Sequence, residues 1–212
     1  MKALLLATTL ALAPAAALAA PVITFGQTSG ANTITATASA TGTSFAGSDV
    51  GVSISQIDAA LATPLPAFLS ITATSEAAGA QSVGGAIVQH FDGTFHITSA
   101  SGGGGTNYLS GAFNDAAITA VGATSVAVFA IDALFTSDVV TDLGLPRSVS
   151  LALTNVSPAV SLAACGGCGS GETLAGFTAS IAGNASANAP EPASLAIMGV
   201  GLLGLGMVRR RG

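Results

Sequence analysis

Short runs in which hydroxyl and apolar side chains alternate dominate the sequence between residues 20 and 182. Four runs share this alternation: 33–38, 68–74, 95–98 and 148–154. Alternation with a period of two is typical of half-buried β-strands, because successive strand side chains point to opposite faces. The more continuously apolar run 124–131 predicts a strand that is buried on both faces.

Turn-forming residues, mostly glycine and proline, separate these runs. They fall at 47–49, 64–66, 92–93, 102–105, 145–146 and 166–171. Many short strands joined by glycine-rich turns are typical of all-β proteins. We therefore expect a single β-sandwich domain, jelly-roll-like or Ig-like, over residues 20–182. Asn, Ala and Ser then replace the apolar pattern, so residues 183–189 are expected to be a flexible linker.

Charged residues make up only 7% of the 212 residues, and basic residues are nearly absent between the two ends of the chain. Nine of the ten acidic residues precede the C-terminal tail, whereas Arg147 is the only Lys or Arg between Lys2 and Arg209. A nucleic-acid-binding protein needs a basic surface that neutralises phosphates. The charge pattern therefore excludes a nucleic-acid partner for the central domain.

The first 19 residues have the parts of a secretory signal peptide. Lys2 supplies the positive start, residues 3–13 are almost entirely apolar, and Ala17 and Ala19 form a cleavage site that puts the cut before Ala20. An uncleaved membrane helix is the alternative. However, a helix over residues 3–13 reaches only about 17 Å, whereas the hydrocarbon core of a bilayer is about 30 Å thick. We expect a signal helix that signal peptidase removes.

The C-terminal tail has three parts in a fixed order. They are a proline-rich motif (Pro190, Glu191, Pro192), an apolar run (193–208) and a basic cluster (Arg209, Arg210, Arg211). The apolar run predicts a transmembrane helix of about 24 Å, which flanking residues can extend to a full span. The positive-inside rule leaves the arginines in the cytoplasm as a stop-transfer signal. The central domain then lies on the outer side of the membrane.

The segment APEPASLAIMGVGLLGLGMVRRRG resembles a PEP-CTERM sorting signal. The resemblance implies that the tail is recognised by an exosortase, an integral membrane, cysteine peptidase-like enzyme of Gram-negative bacteria. It also implies a surface or matrix protein that is made alongside exopolysaccharide machinery. A plain membrane anchor and a buried core helix are the alternatives. An anchor has no need for the proline-rich motif, and a core helix would not end in three arginines.

The two cysteines, Cys165 and Cys168, lie in a Cys-Gly-Gly-Cys sequence. A zinc site would need further ligands, and a thioredoxin-like motif would need a helix, which the surrounding glycines disfavour. A β-turn brings its first and fourth Cα atoms within about 7 Å, a separation that a disulfide tolerates. We therefore expect a structural disulfide across a tight turn, formed after export into an oxidising compartment.

His90 and His96 are the only histidines, so every histidine-dependent mechanism needs them. A hairpin turn at Asp92-Gly93 would place the two imidazoles on opposite faces, whereas one continuous strand would set them about 20 Å apart. Both arrangements favour surface histidines over a paired site. No catalytic residue is predicted from this pattern.

Asp132, Asp138 and Asp142 form the densest acidic cluster in the chain. Loop carboxylates of this kind are calcium ligands in many proteins, but the spacing here is not that of a calcium-binding loop. We expect solvated loop acids, and the sequence predicts neither a metal site nor a cofactor.

These patterns together predict a non-enzymatic, exported protein of the cell surface or extracellular matrix. Its expected partners are signal peptidase, an exosortase, the membrane through the C-terminal helix before processing, and exopolysaccharide or a second copy of the chain. Self-association is expected because weakly charged strands readily pair edge to edge. The alternative is a calcium- or carbohydrate-binding β-sandwich module that a C-terminal anchor holds at the surface.

Overall fold

The computed structural model describes residues 20–187, apart from residues 32, 58–60, 121–125, 132 and 142. Within this part of the chain thirteen strands follow one another: β1 (Ala20–Gln27), β2 (Ile34–Ser39), β3 (Gly42–Ile57), β4 (Leu65–Ser75), β5 (Gln81–Val83), β6 (Ala86–Thr98), β7 (Asn107–Ala120), β8 (Val126–Ile131), β9 (Leu134–Thr136), β10 (Arg147–Ser157), β11 (Leu162–Ala164), β12 (Glu172–Leu174) and β13 (Phe177–Ala187). The predicted all-β class is confirmed.

The described residues do not include either of the two predicted terminal helices. The signal helix (1–19) and the transmembrane helix (193–208) lie outside the described residues. Over the described ranges, no helix has the length and apolar character needed to cross a membrane.

The strands form one sheet that closes on itself, not the two stacked sheets that we predicted. β6, β4, β3, β1, β13, β10, β8 and β7 follow one another around the ring, and an antiparallel β6–β7 ladder closes it. Alternation along a strand reports that one face is buried, but it does not report whether the first and last strands meet. Closure pairs the edges that an open sheet would expose, so fewer edges are available for edge-to-edge association than the composition suggested.

Three positions around the ring are each filled by two strands placed end to end. β1 and β2 both lie between β3 and β13. β4 and β5 both pair with β6, and β8 and β9 both pair with β7. β11 and β12 form a separate hairpin, in which Leu162 pairs with Leu174.

Alternate side chains of each strand fill the interior of the ring. Ile54, Leu69, Ile97, Leu109 and Leu153 are completely or almost completely buried there. Each such side chain stabilises the fold by about 1.5–3 kcal/mol through removal of apolar surface from water. The alternating strand pattern therefore identifies the core correctly.

β8 differs from its prediction. Ala127 and Phe129 point outward, and Phe129 is 50% exposed, whereas Val126, Val128 and Ala130 point into the core. Apolar residues on the outer face made this strand look buried on both sides. The structure shows a strand with one buried face.

β13 corrects the predicted domain boundary at residue 182 and the predicted linker over 183–189. The strand continues to Ala187 and stays paired with both β1 and β10, as part of a compact unit over residues 19–188. A Cβ atom on Gly183 would lie 2.6 Å from Leu151 Cδ2 and 3.0 Å from Phe25 Cζ. Residue 183 must therefore be glycine because Leu151 and Phe25 fill the space that a side chain would need. The small residues that follow it belong to a strand that lies between β1 and β10. Residues 188 and 189 lie outside the described residues.

The two ends of the ring differ in what they carry. At one end, residues 162–174 (the cap, comprising β11, the cysteine turn and β12) contact the turns that precede β3 and β5. We call this the capped end. At the other end Ala20 and Ala187 are cross-strand partners, so both ends of the described chain leave the ring there. We call this the tail end.

Candidate functional site

The cap is organised around a disulfide between Cys165 and Cys168, which confirms the predicted bridge. Their Cα atoms are 5.4 Å apart. The Cys168 amide donates to the Cys165 carbonyl, and the Cys165 amide donates to the Gly171 carbonyl. The bridge therefore closes a turn that backbone hydrogen bonds also hold.

Backbone amides of the cysteine turn fasten the cap to two neighbouring turns. Gly167 donates to the Ala40 carbonyl (2.9 Å), Gly169 to the Ala77 carbonyl (2.7 Å) and Ser170 to the Ala78 carbonyl (2.9 Å). Glycine recurs here because the backbones approach closely: Gly167 leaves only 3.2 Å between a hypothetical Cβ atom and the Ala40 carbonyl. The sequence Cys-Gly-Gly-Cys-Gly thus builds a docking surface for other backbone segments.

A buried polar cluster fixes the cap from inside the ring. The Gln89 side chain is fully buried, and its amide donates to Thr173 Oγ1 (2.8 Å) while its carbonyl accepts the Leu174 amide (2.8 Å). Thr43 Oγ1 lies 2.7 Å from Thr173 Oγ1 and donates to the Leu174 carbonyl. Every member of this cluster has a partner, which is the condition for a buried polar group to stabilise a fold. Sequence analysis missed it, because an isolated Gln in an apolar strand is a weak signal.

Two shallow depressions on the outer face of the sheet join into one trough, which runs from β3 to β9. They share Thr94 and Ala112. A cross-strand row of Ala46, Thr72, Thr94, Ala112 and Leu134 forms the floor. Neighbouring strands are about 4.8 Å apart, so the four spacings from β3 to β9 make the trough about 19 Å long. We call this surface the outer trough.

Hydroxyl, carboxylate and imidazole groups line the outer trough on either side of this floor. Ser44, Thr74 and Asp92 lie on one side, and His96 and Thr136 lie on the other. These groups can donate and accept hydrogen bonds to a polar ligand. Strand alternation indicated outward hydroxyls, but it could not indicate which strands are neighbours.

His90 and His96 lie on one continuous strand, so the hairpin at Asp92-Gly93 does not form. Both imidazoles point outward on the same face of β6, because Phe91 and Phe95 point into the core. The hairpin arrangement is therefore wrong, and the alternative of one continuous strand is the arrangement that the structure shows. Surface histidines are confirmed, since His90 is 43% exposed.

The imidazole Nδ1 of His90 contacts the carboxylate of Asp115 across the β6–β7 ladder. Asp115 has a φ of 56° at a bulge, and its amide donates to Asp92 Oδ1 (2.9 Å). These contacts support a bulge, which increases the local twist of the ladder. Across the described residues no group of three His, Cys, Asp or Glu side chains is placed to hold a metal ion.

Asp138, the described member of the acidic cluster, organises a loop. Its Oδ2 atom accepts the Asn107 amide (2.8 Å), and its own amide donates to the Asn107 carbonyl (2.9 Å). Asp132 and Asp142 lie outside the described residues.

Arg147 closes the loop between β9 and β10 at the tail end. Its guanidinium donates to the carbonyls of Leu143, Gly144 and Phe135. The backbone of Arg147 pairs with Ala187, the last described residue. The single cation of the central domain therefore lies beside the point where the C-terminal tail begins.

The tail itself matches a known family. Residues 188–211 match the family model described as the PEP-CTERM protein-sorting motif. The chain carries a PEP-CTERM sorting motif. The match includes Pro190, Glu191, Pro192 and the three arginines that we singled out. Neither the curated proteins nor the solved structures contain a significant match to this chain.

A PEP-CTERM motif implies export across the membrane to the cell surface and processing by an exosortase. The match begins directly after Ala187, the end of β13. The sorting residues themselves, like the predicted cleavage residues Ala17 and Ala19, lie outside the described residues. Ala20, the predicted first residue of the mature chain, begins β1.

Proposed function

We propose that this PEP-CTERM protein is a non-enzymatic component of the cell surface or extracellular matrix of a Gram-negative bacterium, associated with exopolysaccharide in a biofilm. The observation that carries the proposal is the sorting motif at residues 188–211. An N-terminal segment with the features of a signal peptide supports it, because both ends then direct the domain to the same side of the membrane.

Each end of the chain has a stated role in this proposal. Signal peptidase cuts between Ala19 and Ala20. The helix over 193–208, with the arginines behind it, then holds the precursor in the inner membrane. An exosortase acts at Pro190, Glu191 and Pro192 and separates the domain from that helix.

The chemistry of the central domain supports a structural role. Its most buried polar side chains, Gln89, Thr43 and Thr173, direct their hydrogen bonds to the cap. The contact between the His90 imidazole and the Asp115 carboxylate bridges two neighbouring strands. A disulfide and a closed sheet suit an oxidising, extracellular location.

The test is the intact mass of the protein recovered from cells and medium. Wild type should have lost residues 1–19 and the arginine-ended helix, whereas Pro190→Ala/Glu191→Ala/Pro192→Ala should keep its C-terminus. Glu172→Ala, which removes an exposed carboxylate elsewhere, is the matched control and should be processed like wild type. A wild-type chain that keeps Arg211 in the inner membrane would contradict the proposal.

A second candidate function is the binding of a neutral polysaccharide in the outer trough. The hydroxyls of Ser44, Thr72, Thr74 and Thr94 favour it, because they can bond to sugar hydroxyls in either direction. Asp92 would disfavour an anionic polymer. Titration with a neutral and an anionic polysaccharide tests this candidate, with Thr72→Val/Thr94→Val as the variant and Thr35→Val/Thr37→Val as the control. Equal binding by both variants would contradict it.

The calcium form of this second candidate depends on Asp138 together with Asp132 and Asp142. A rise in melting temperature on addition of Ca²⁺, lost in Asp138→Asn, would support it. An unchanged melting temperature would contradict it.

A further inference from the structure

Only two residues separate the end of β13 from the Pro190 motif in the sequence. Ala187 pairs with Ala20 of β1 on one side and with Arg147 of β10 on the other. Pro190 follows three residues later. Three fully extended residues reach at most about 11 Å, so this is the greatest distance by which the chain can separate the motif from the paired strand.

A short reach matters because a peptidase must surround the segment that it cuts. β1, β13 and β10 occupy about 10 Å of width at the tail end, at about 4.8 Å between strands. The space within reach of Pro190 is therefore partly filled by folded chain. Only residues 188 and 189 separate the paired strand from the motif, so any further upstream chain that a membrane-embedded enzyme engages must come from β13.

The last four residues of β13 bury less apolar surface than the rest of the strand. Asn184 is exposed, Ser186 is half-buried, and only the methyl groups of Ala185 and Ala187 are buried. By contrast, the first half of β13 buries Phe177 and Ile181. Strand ends with little buried apolar surface open more readily than the core of a sheet.

The pairing between β1 and β13 is also irregular at these last residues of β13. Pro21 stands opposite Ser186 and has no amide to donate. The register then shifts between Pro21 and Ile23, which interrupts the ladder between β1 and β13. Two independent features, small side chains and an interrupted ladder, therefore coincide at residues 184–187.

We propose that residues 184–187 are a releasable spacer. They pair with β1 and β10 in the folded domain and detach when the processing enzyme engages the motif. Gly183, fixed between Phe25 and Leu151, is the point where release stops. Release increases the number of residues between the last paired residue and Pro190 from two to six. This inference rests on the proposed function, since it requires that the tail is processed.

The test locks the spacer in place and measures processing in the producing cells. Ser148 and Ser186 are cross-strand partners and both are half-buried, so Ser148→Cys/Ser186→Cys introduces a disulfide between β10 and β13. The matched control is Thr119→Cys/Ala127→Cys, which bridges β7 and β8 away from β13 and outside the outer trough. Intact mass reports both the loss of the tail and the formation of each bridge.

The locked variant is expected to lose its tail at least about tenfold more slowly than wild type, because opening of the strand end is blocked. The control bridge should leave the rate unchanged. A four-residue Gly/Ser insertion after Ala187 should restore the rate of the locked variant, since it supplies the missing length. The same insertion in the wild-type chain should not slow processing.

Two results separate this inference from the proposed function. A locked variant that is processed as fast as wild type would overturn the releasable spacer while leaving the surface-protein proposal intact. A wild-type chain that is never processed would overturn both. If the bridge between positions 148 and 186 forms but the insertion does not restore processing, the bridge slows processing for a reason other than the length of chain before Pro190. That result would also overturn the releasable spacer.

Discussion

The two ends of the closed sheet are built on opposite plans. At the capped end a disulfide, three backbone hydrogen bonds from the cysteine turn and the buried Gln89 cluster fix one segment to its neighbours. At the tail end the last residues of β13, which have small side chains, pair with β1 and β10 beside the point where the chain leaves. The comparison teaches that side-chain and disulfide contacts are concentrated at the capped end, whereas the tail end is held mainly by strand pairing.

The two segments look alike in sequence, although they differ in structure. Both 165–171 and 183–187 are composed mainly of Gly, Ala, Ser and Asn or Cys. In the cap, the glycines let backbone amides reach other turns. In β13, a missing side chain at Gly183 makes room for Phe25 and Leu151. Glycines therefore mark close approach of neighbouring chain segments in both places.

The largest expected effect on the free energy of unfolding comes from a substitution at Gly183 of β13. Gly183→Val should lower the free energy of unfolding by about 3 kcal/mol, because a Cβ atom would lie 2.8 Å from the Ser150 carbonyl. Gly26→Val is the control, since nothing lies within 4 Å of its added Cβ. Urea denaturation measures both, and equal effects would show that residue 183 does belong to a loose segment.

The buried cluster gives the next largest effect. Gln89→Leu should cost about 2 kcal/mol or slightly more, because the Leu174 amide and Thr173 lose their buried partner. Gln81→Leu, on exposed β5, serves as the control and should change stability little. An unchanged free energy of unfolding in Gln89→Leu would mean that the buried cluster does not hold the cap in place.

The disulfide follows with a similar or smaller effect. Cys165→Ser/Cys168→Ser should cost about 2 kcal/mol in the chain-entropy description of a short loop. The amides of Gly169 and Ser170 should also exchange hydrogen faster, whereas those of β13 should not. Faster exchange along β13 would show that the two ends are coupled, and the comparison between them would fail.

The smallest expected effect is at the tail end. Arg147→Met should cost about 1 kcal/mol, because the carbonyls of Leu143, Gly144 and Phe135 lose their donor. Arg147→Lys keeps the charge but not the planar fork, so it should recover only part of the loss. Thermal unfolding of both variants measures the difference. A loss as large as that of Gln89→Leu would mean that the tail end is as firmly held as the cap.

The sequence predicts those features that depend on neighbouring residues. Alternation identified the half-buried strands, and the Cys165–Cys168 spacing identified the disulfide. The order of Pro190, the apolar run and the arginines identified the sorting motif. Each of these is a local pattern that one stretch of chain carries by itself.

The sequence did not predict features that depend on distant residues. Closure needs β6 to meet β7, and the Gln89 cluster joins residues more than eighty positions apart. The hairpin at Asp92-Gly93 failed because β4 and β7 pair with both sides of that dipeptide and hold it extended. Pairing on both sides likewise overrode the linker-like composition of residues 183–187.

The pairing of Ala20 with Ala187 brings the two ends of the folded domain next to each other. A short peptide that joins these two residues would close the backbone, and new ends opened in the surface loop over residues 99–106 would give a circular permutant of the same fold. If both ends are processed as proposed, the new amino end at Ala20 and the new carboxyl end after Ala187 would lie at the same end of the ring. A group attached at the carboxyl end would then lie near the amino end and not at the capped end.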